Sequence, residues 1–432
     1  MKPTVVSRRT ALSTGAGVCS ALSLPSIFQL RANSPGFDSS RSDTTVILVN
    51  LGGGPSQHET YDPKPDAPPE YRGPFSPIST KIPGVQICEL LPKQAAMMDQ
   101  MTIIRSIHHE QASHIAEHIV ETGYDLRNPQ NSLKGEMPSV GSVVSAIRGS
   151  SPDGIPAYVS MPDRKAYGGP HWLGGQHRHF SVNDDPNEPD FAVKNLVLAR
   201  DLDVERLQDR KALLKSLDHA QRAIERDSAA DAIDGFTRKA FELITGPKAR
   251  EAFDLSAEPD AMRNRYGRTT FGQRMLLARR LAEAQVPYIK VWLPGWDDHK
   301  DLVKRITPRA AAYDQALTAL ITDLGERGLT QKVLVVAMGE FGRTPKFNAT
   351  GGRDHWPRVN SVLFAGGDYK MGQVIGATDR KGANVIEAPY RPQNVLGMMY
   401  RHLGIDPSIT FDDFTGRPRY LLEERRPITE LI

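Results

Sequence analysis

Cysteine is almost absent from this chain of 432 residues, which contains only Cys19 and Cys88. Cys19 lies in an N-terminal segment that we predict below to be a signal peptide, so the mature chain cannot form an intramolecular disulfide. The same scarcity excludes a metal site built from cysteine thiolates. Any metal that the mature chain binds must therefore be held by carboxylates and imidazoles.

A large excess of charge of either sign is also missing. The formal net charge is +3, and the first 34 residues contribute four basic residues and no acidic one. The rest of the chain therefore carries about one negative charge. Because proteins that bind nucleic acids need a basic surface, we expect no nucleic-acid partner.

No segment is apolar enough to span a membrane, which takes about 20 strongly apolar residues. The weakly apolar stretch at 11–30 is rich in Ser, Thr and Gly, and it follows Ser7-Arg8-Arg9-Thr-Ala11-Leu12. This pattern resembles the twin-arginine export motif, with Ala11 where that motif usually has Phe. We predict a signal peptide over residues 1–34 and export of the folded protein by the twin-arginine machinery. The mature chain would then be periplasmic or extracellular, without an integral membrane span.

Short apolar runs alternate with helical patterns along the rest of the chain. The run at 44–51 is rich in β-branched residues and typical of a buried parallel strand. Further strands are predicted at 101–105, 158–161, 288–293, 332–338 and 361–365, and helices at 115–123, 274–284 and 310–327. The alternation predicts an α/β fold with a mostly parallel central sheet and helices on both faces. Ligands of such sheets bind beyond the carboxyl ends of the strands.

The domain organisation predicted from the sequence is simple. Residues 43–432 are expected to form one domain. The most charged, helix-like stretch, at 201–263, is predicted to belong to a cap or side insertion around residues 165–265.

Four polar segments follow predicted strands, and the first begins with the glycines Gly52–Gly54. Glycine allows the backbone to approach a ligand closely. Beyond it, His58, Glu59 and Asp62 are possible metal ligands, and Ser56 is a candidate for substrate binding. A tight turn between strand and loop is the alternative interpretation.

The second segment carries four histidines between residues 108 and 118. His114 and His118 are four residues apart, which places them on one face of a helix in a spacing that suits a metal. Ser113 precedes this helix and could serve as its N-cap. The same position suits a catalytic hydroxyl directed at an anion, so both interpretations stay open.

The third segment delivers Asp297 and His299 into one loop after a strand, which indicates metal ligands. The fourth segment contains Glu340 and Arg343, followed shortly by Arg353 and the pair Asp354-His355. We predict Glu340, Asp354 and His355 as further ligands of one or more divalent metals, with Zn, Mn, Mg, Fe and Ca not distinguished.

The two arginines of the fourth segment have the chemistry to bind an anion. Guanidinium groups pair with phosphate or sulfate groups through two parallel hydrogen bonds. We predict Arg343 as a catalytic residue and Arg353 as a substrate-binding residue. A cluster of surface ion pairs is the alternative.

Several motifs resemble those of the DUF1501 family, a large group of exported bacterial proteins. The matching segments are Gly53-Gly-Pro-Ser56, Tyr61-Asp-Pro-Lys64, Gly295-Trp-Asp-x-His299, Gly339-Glu-Phe-Gly-Arg-Thr-Pro345 and Gly352-Arg-Asp-His-Trp-Pro357. The resemblance implies a fold similar to that of alkaline phosphatases and sulfatases. It also implies a site with divalent metals and a hydroxyl or modified cysteine nucleophile at the start of a helix.

The resemblance carries Ser113 over as a candidate nucleophile by its position alone. Thr122-Gly123 follows Ser113 at the spacing found in sulfatases, but Ile115 and Glu117 replace the Pro and Arg of the sulfatase motif. These replacements argue against a formylglycine sulfatase. Asn50 and Phe341 stand where the superfamily usually has metal-binding Asp and His, so two-metal chemistry is doubtful.

Two functions follow from these observations. The first is an exported metal-dependent hydrolase acting on a phosphate or sulfate ester. The second is a non-catalytic cell-surface protein of the same fold that binds anionic glycans. A dinucleotide enzyme is disfavoured because Pro55 follows the glycines and no Gly-x-Gly-x-x-Gly continues into a helix.

Overall fold

The computed structural model describes residues 36–126, 137–151, 154–163, 167–193, 246–413 and 415–432. The predicted signal peptide and residues 194–245, the main part of the predicted insertion, lie outside these ranges, so both stay predictions. Within the described residues, no helix combines the length and the apolar character that crossing a membrane requires.

The described strands and α-helices follow one another in a mixed α/β order. The strands are β1 (Thr45–Gly52), β2 (Pro77–Ser79), β3 (Gln86–Cys88), β4 (Thr102–Ile107), β5 (Tyr158–Met161), β6 (Phe180–Ser181), β7 (Tyr288–Pro294), β8 (Val333–Met338), β9 (Gly342–Arg343), β10 (His355–Trp356), β11 (Asn360–Gly366), β12 (Gln373–Ile375), β13 (Ala377–Thr378), β14 (Val385–Glu387), β15 (Thr410–Asp412) and β16 (Pro418–Tyr420). The α-helices are α1 (Pro69–Arg72), α2 (Pro92–Ala96), α3 (Ala116–Thr122), α4 (Val140–Arg148), α5 (Pro247–Phe253), α6 (Asp260–Tyr266), α7 (Thr270–Glu283), α8 (Leu302–Glu326) and α9 (Pro392–His402).

Eight strands form the central sheet, in the order β12-β4-β11-β8-β1-β7-β5-β6. Neighbouring strands run parallel, except that β11 is antiparallel to both β4 and β8. In the middle of the sheet, β1 pairs with β7 on one side and with β8 on the other. The predicted α/β fold with a mostly parallel sheet is therefore confirmed.

Helices cover both faces of this sheet, because side chains alternate between the faces along each strand. In β1, Ile47 and Val49 pack in one apolar cluster that also contains residues of α7 and α8. Val46 and Leu48 pack in a second cluster with residues of α4 and α9. These two cores give the three-layer arrangement that the sequence predicts.

One difference from the sequence-based prediction is the start of α8. The pattern predicts a helix from residue 310, after Pro308, yet α8 begins at Leu302 and contains Pro308. Its first two turns carry Arg305 and Arg309, which both form ion pairs with Asp298. These contacts hold the start of the helix against the loop that follows β7.

The sheet brings several loops to one edge. Strands β1, β7 and β8 end there because they are parallel. Strand β11 runs the other way, and its first residue, Asn360, pairs with the last residue of β4, Ile107. The segment before β11 therefore reaches the same edge as the loops that follow β1, β7 and β8.

Candidate functional site

Charged and imidazole side chains from three segments meet at this edge. Asp297 and His299 come from the loop after β7, and His355 lies in β10. The Nε2 atoms of His299 and His355 lie 3.0 Å and 3.1 Å from Asp297 Oδ1. His114, just before α3, places its Nε2 3.4 Å from Asp297 Oδ2. Three imidazoles thus surround one carboxylate.

Two of these imidazoles are oriented by acceptors on their far side. His299 Nδ1 lies 2.7 Å from Asp354 Oδ1, and His355 Nδ1 lies 2.8 Å from the carbonyl oxygen of Ala112. Because Nδ1 donates in each ring, Nε2 of the neutral ring carries a lone pair. The two Nε2 atoms are 3.0 Å apart. Lone pairs that face each other at this distance repel unless a cation or a proton lies between them.

His114 is oriented in the same way. Its Nδ1 lies 2.8 Å from Glu340 Oε1, and this hydrogen bond raises the pKa of His114 although burial opposes the shift. Glu340 itself is buried, and both of its carboxylate oxygens accept from the backbone N–H of Gly53 at 3.1 Å. In the neutral ring, donation from Nδ1 leaves a third Nε2 lone pair directed at Asp297.

The carboxylate of Asp297 is held ionised. Burial alone would raise its pKa, but a hydrogen bond and ion pair with Arg343 hold the pKa of Asp297 well below its usual range. Arg343 Nη2 lies 2.5 Å from Asp297 Oδ1. Three imidazole nitrogens thus approach one carboxylate, and each ring is fixed by an outer acceptor. Donors of these types would suit a divalent metal. Among the described residues, the group with ligand atoms all within 4.8 Å of one another is His114, Asp297 and His355. His299 lies beside this group through its contacts with Asp297 and His355.

The site opens to solvent. The side chains of His299, His114 and Asp297 are 43%, 41% and 39% exposed. A ligand can therefore reach the converging Nε2 atoms without displacing protein atoms.

Arg343 lies beneath the cluster and is fully buried. Each of its three guanidinium nitrogens donates to protein acceptors, which are Asp297 Oδ1 and the carbonyl oxygens of Gly53, Gly54, Trp296 and Arg353. The side chain fixes Asp297 and the loops around it. The predicted contact between Arg343 and a substrate anion has no counterpart in this arrangement, because the guanidinium has no exposed surface.

Arg353 is also engaged inside the protein. Its Nη2 lies 2.8 Å from Glu59 Oε1 and its Nε 3.0 Å from Glu59 Oε2, and both side chains are buried. Arg353 also donates from Nη2 to the carbonyl oxygen of Tyr71 and from Nη1 to that of Thr344. Glu59 and Arg353 thus form a buried ion pair that connects the loop after β1 to the segment before His355. Neither side chain is placed in the role predicted for it, metal binding for Glu59 and substrate binding for Arg353.

Two other predicted ligands bond elsewhere. Asp62 accepts from Thr378 and pairs with Lys64 at 3.0 Å. His118 is buried in α3 with Nδ1 2.7 Å from the carbonyl oxygen of Tyr124. The predicted pairing of His114 and His118 on one helical face is not found, because α3 begins at Ala116 and His114 precedes it.

Ser56 and Ser113 differ in their surroundings. Ser56 is buried, and its Oγ has no hydrogen-bond partner among the described residues. Ser113 is half-buried, and its Oγ donates to Gln111 Oε1 at 2.9 Å. It does not cap α3, whose N-cap residue is Ile115. Ser113 lies between Ala112, whose carbonyl oxygen contacts His355, and His114, which contacts Asp297.

His58 is packed beside the Glu59–Arg353 pair. Its Nε2 lies 3.0 Å from the carbonyl oxygen of Lys381, and its Nδ1 has no partner among the described residues. Burial lowers the pKa of His58 to about 4, and the charge of Arg353 adds to the effect. His58 is therefore neutral at pH 7, and its hydrogen bond goes to Lys381 rather than to Asp297 or the three imidazoles.

This burial predicts a pH-dependent stability. Between pH 6.5 and about 4, the unfolded His58 binds a proton and the folded one does not, so the free energy of unfolding should fall as the pH is lowered. The pKa difference corresponds to about 3 kcal/mol. Urea unfolding at pH 7 and pH 4.5 should show a smaller loss for His58→Gln than for the wild type. Equal losses in both proteins would contradict this assignment.

Two contributors to the site carry weak sequence signals. Phe341 is fully buried and stacks on His355 with ring centroids 4.3 Å apart, which holds that imidazole in place. Gly53 has φ 113°, and a Cβ at this position would lie 2.5 Å from the backbone nitrogen of Asp297. The glycine run after β1 signals such an approach, but no pattern in the sequence indicates the ring stacking.

Comparisons with known proteins place this geometry in context. No curated protein sequence matches the chain. Among solved structures, the chain is similar to the PsFucS1 sulfatase from Pseudoalteromonas sp., with 10% identity, a TM-score of 0.37, and coverage of 85% of this chain and 69% of that one. It is also similar to a TAB5 alkaline phosphatase mutant with Mg bound, with 11% identity, a TM-score of 0.37, and coverage of 84% and 98%.

A third similar structure is the phosphonate monoester hydrolase SpPMH from Silicibacter pomeroyi. It shares 12% identity at a TM-score of 0.34, with 84% of this chain and 73% of that one covered. The sequence itself matches the family described as "Protein of unknown function (DUF1501)" over residues 43–432. This match spans the described core and also His114, Asp297, His299 and His355, so the chain belongs to the DUF1501 family.

Proposed function

We propose that this protein is a metal-dependent hydrolase that acts on a phosphate or sulfate ester outside the cytoplasm. The observation that carries the proposal is the convergence of three Nε2 atoms on the Asp297 carboxylate, each ring oriented by an outer acceptor. His114, Asp297, His299 and His355 would hold the metal. Nitrogen-rich sites of this kind suit Zn or Fe better than Mg, Ca or Mn, which prefer oxygen ligands.

A divalent cation bound there would polarise the ester oxygen and lower the pKa of water or a hydroxyl group. The chain supplies the remaining functions. Arg343 keeps Asp297 ionised, and Asp354, Glu340 and the Ala112 carbonyl fix the three imidazole rings. The partly exposed side chains of the cluster give an ester access from the solvent. Export rests on the twin-arginine pattern in the predicted leader.

Purified protein should contain a divalent metal and hydrolyse at least one ester in a panel of aryl phosphates, phosphodiesters and sulfates. Metal content is measured by plasma mass spectrometry, and turnover by release of the aryl alcohol. The variant His171→Ala, an exposed histidine outside the cluster, serves as the control and should match the wild type. Protein without metal, even after incubation with Zn²⁺ or Mn²⁺, would refute the proposal.

Ser113 is the candidate nucleophile, and its removal separates two routes of attack. If the Ser113 hydroxyl attacks, Ser113→Ala should lower turnover by on the order of 1,000-fold, because the covalent route is lost. Metal content should stay unchanged, since Ser113 does not contact Asp297 or the three imidazoles in the described hydrogen bonds. Full activity in Ser113→Ala would leave attack by water as the mechanism.

One observation favours a second candidate function, that of a non-catalytic protein that binds anionic glycans. Both arginines expected to stabilise the charge of an ester are buried in contacts within the protein. In that case the metal cluster alone would contact the anion. Bound metal together with binding of a sulfated oligosaccharide, but no turnover of any ester, would select this function over the hydrolase.

A further inference from the structure

One oxygen of Asp297 contacts positive or metal-binding groups from two directions. From the solvent side, the Nε2 atoms of His299 and His355 approach Oδ1. From the protein interior, the buried guanidinium of Arg343 approaches the same oxygen at 2.5 Å. Asp297 Oδ1 therefore lies between the imidazoles that would hold a metal on the solvent side and the Arg343 guanidinium on the interior side.

The interior position has the surroundings of a cation site. Four backbone carbonyl oxygens and the Asp297 carboxylate gather there, and oxygens of these kinds are ligands for divalent cations. Here all of them accept hydrogen bonds from Arg343. A guanidinium group does not lose its proton in proteins. The position therefore carries a permanent single positive charge and offers no free oxygen to a metal.

The remaining carboxylates of the cluster are engaged as well. Both oxygens of Glu340 accept from Gly53, and Oε1 also bonds His114. Asp354 Oδ1 accepts from His299 and, at 3.1 Å, from Asn348 Nδ2. These contacts make Glu340 and Asp354 the outer partners that orient imidazoles. Among the described residues, they form no second group of three possible ligands.

We propose that the site takes one divalent cation per chain and that Arg343 is its fixed second positive charge. This inference rests on the proposed metal site and specifies its composition. Hydrolases with two metals place the ions about 3.5–4 Å apart, and each ion stabilises one of the reacting oxygens. In this protein the second positive charge is a buried guanidinium that contacts Asp297 and backbone carbonyl oxygens, so Arg343 is a positioning residue.

The number of bound ions tests the proposal directly. Protein stripped with a chelator is titrated with Co²⁺, followed by visible absorption, and with Zn²⁺, followed by calorimetry. Both titrations should saturate at one equivalent per chain. Two equivalents, both abolished in His299→Ala, would overturn the inference and leave the proposed hydrolase intact. Absence of binding would instead refute the proposed metal site itself.

Two substitutions test the assignment of Arg343. Arg343→Lys keeps the positive charge and should still bind one equivalent of Co²⁺. Arg343→Gln removes the charge and frees the oxygens around it, so a second, weaker equivalent should appear. A folded Arg343→Gln protein that binds one equivalent would contradict the role of Arg343, because a merely structural side chain would leave the stoichiometry unchanged. If Arg343→Gln does not fold, the number of ions bound by the wild type still tests the proposal of one cation per chain.

Discussion

Purified His299→Ala protein is expected to contain less than a tenth of the wild-type metal and to lose activity by on the order of 1,000-fold in kcat/KM. The substitution removes one of the Nε2 donors that lie against Asp297. A catalytic metal contributes several kcal/mol to the stability of the transition state, and each 1.36 kcal/mol corresponds to a factor of ten in rate. His299 is 43% exposed, so its loss should leave the fold unchanged.

Asp354→Asn is the graded comparison for this experiment. Asp354 bonds the far nitrogen of His299, and loss of such an outer partner weakens metal binding by about 10–100-fold. Metal analysis and zinc titration should therefore order the proteins as wild type, Asp354→Asn and His299→Ala. Wild-type metal content in His299→Ala would contradict the assignment of this residue as a ligand.

Glu59→Gln is expected to lower the free energy of unfolding by about 3–5 kcal/mol. The substitution keeps the shape of the side chain but leaves the Arg353 guanidinium buried without its counter-ion. Removing one partner of a buried ion pair has costs of this size because an uncompensated charge remains in the interior. Urea or thermal unfolding measures the change, and metal content per folded chain should stay at the wild-type value.

The matched control is Glu326→Gln. Glu326 forms an ion pair with Arg265 in which both side chains are partly exposed, so solvent screens the interaction. The unfolding midpoint of this variant should stay close to that of the wild type. Equal destabilisation by the two substitutions would mean that burial does not determine the importance of the Glu59–Arg353 pair.

The sequence predicts the fold well because the strands of a parallel sheet are buried on both faces. Apolar, β-branched runs such as Thr45–Gly52 are then continuous and stand out from the polar segments around them. The carboxyl ends of these runs also indicate where ligands bind. Asp297 and His299 follow β7, and Glu340 follows β8, so their common edge is predictable from topology alone.

The roles of the individual side chains could not be predicted in the same way. Whether an arginine faces a substrate or the protein interior depends on which backbone carbonyls the fold gathers around it, and the sequence pattern does not specify these. Arg343 and Arg353 illustrate the point, since both are fully buried. His114 shows a related effect. The loop before α3 turns it toward Asp297, whereas helical spacing pairs it with His118.

The position of β1 in the sheet has a consequence for how the chain folds. It is the first strand of the described chain, yet it lies in the middle of the sheet between β7 and β8, whose partner residues lie far downstream. Long-range pairing of this kind slows folding, because a large loop must close before any contact forms. The apolar run of β1 stays unpaired until most of the chain has been synthesised. A translocation route that accepts folded proteins, as the twin-arginine pattern predicts, would let this strand find its partners before the protein leaves the cytoplasm.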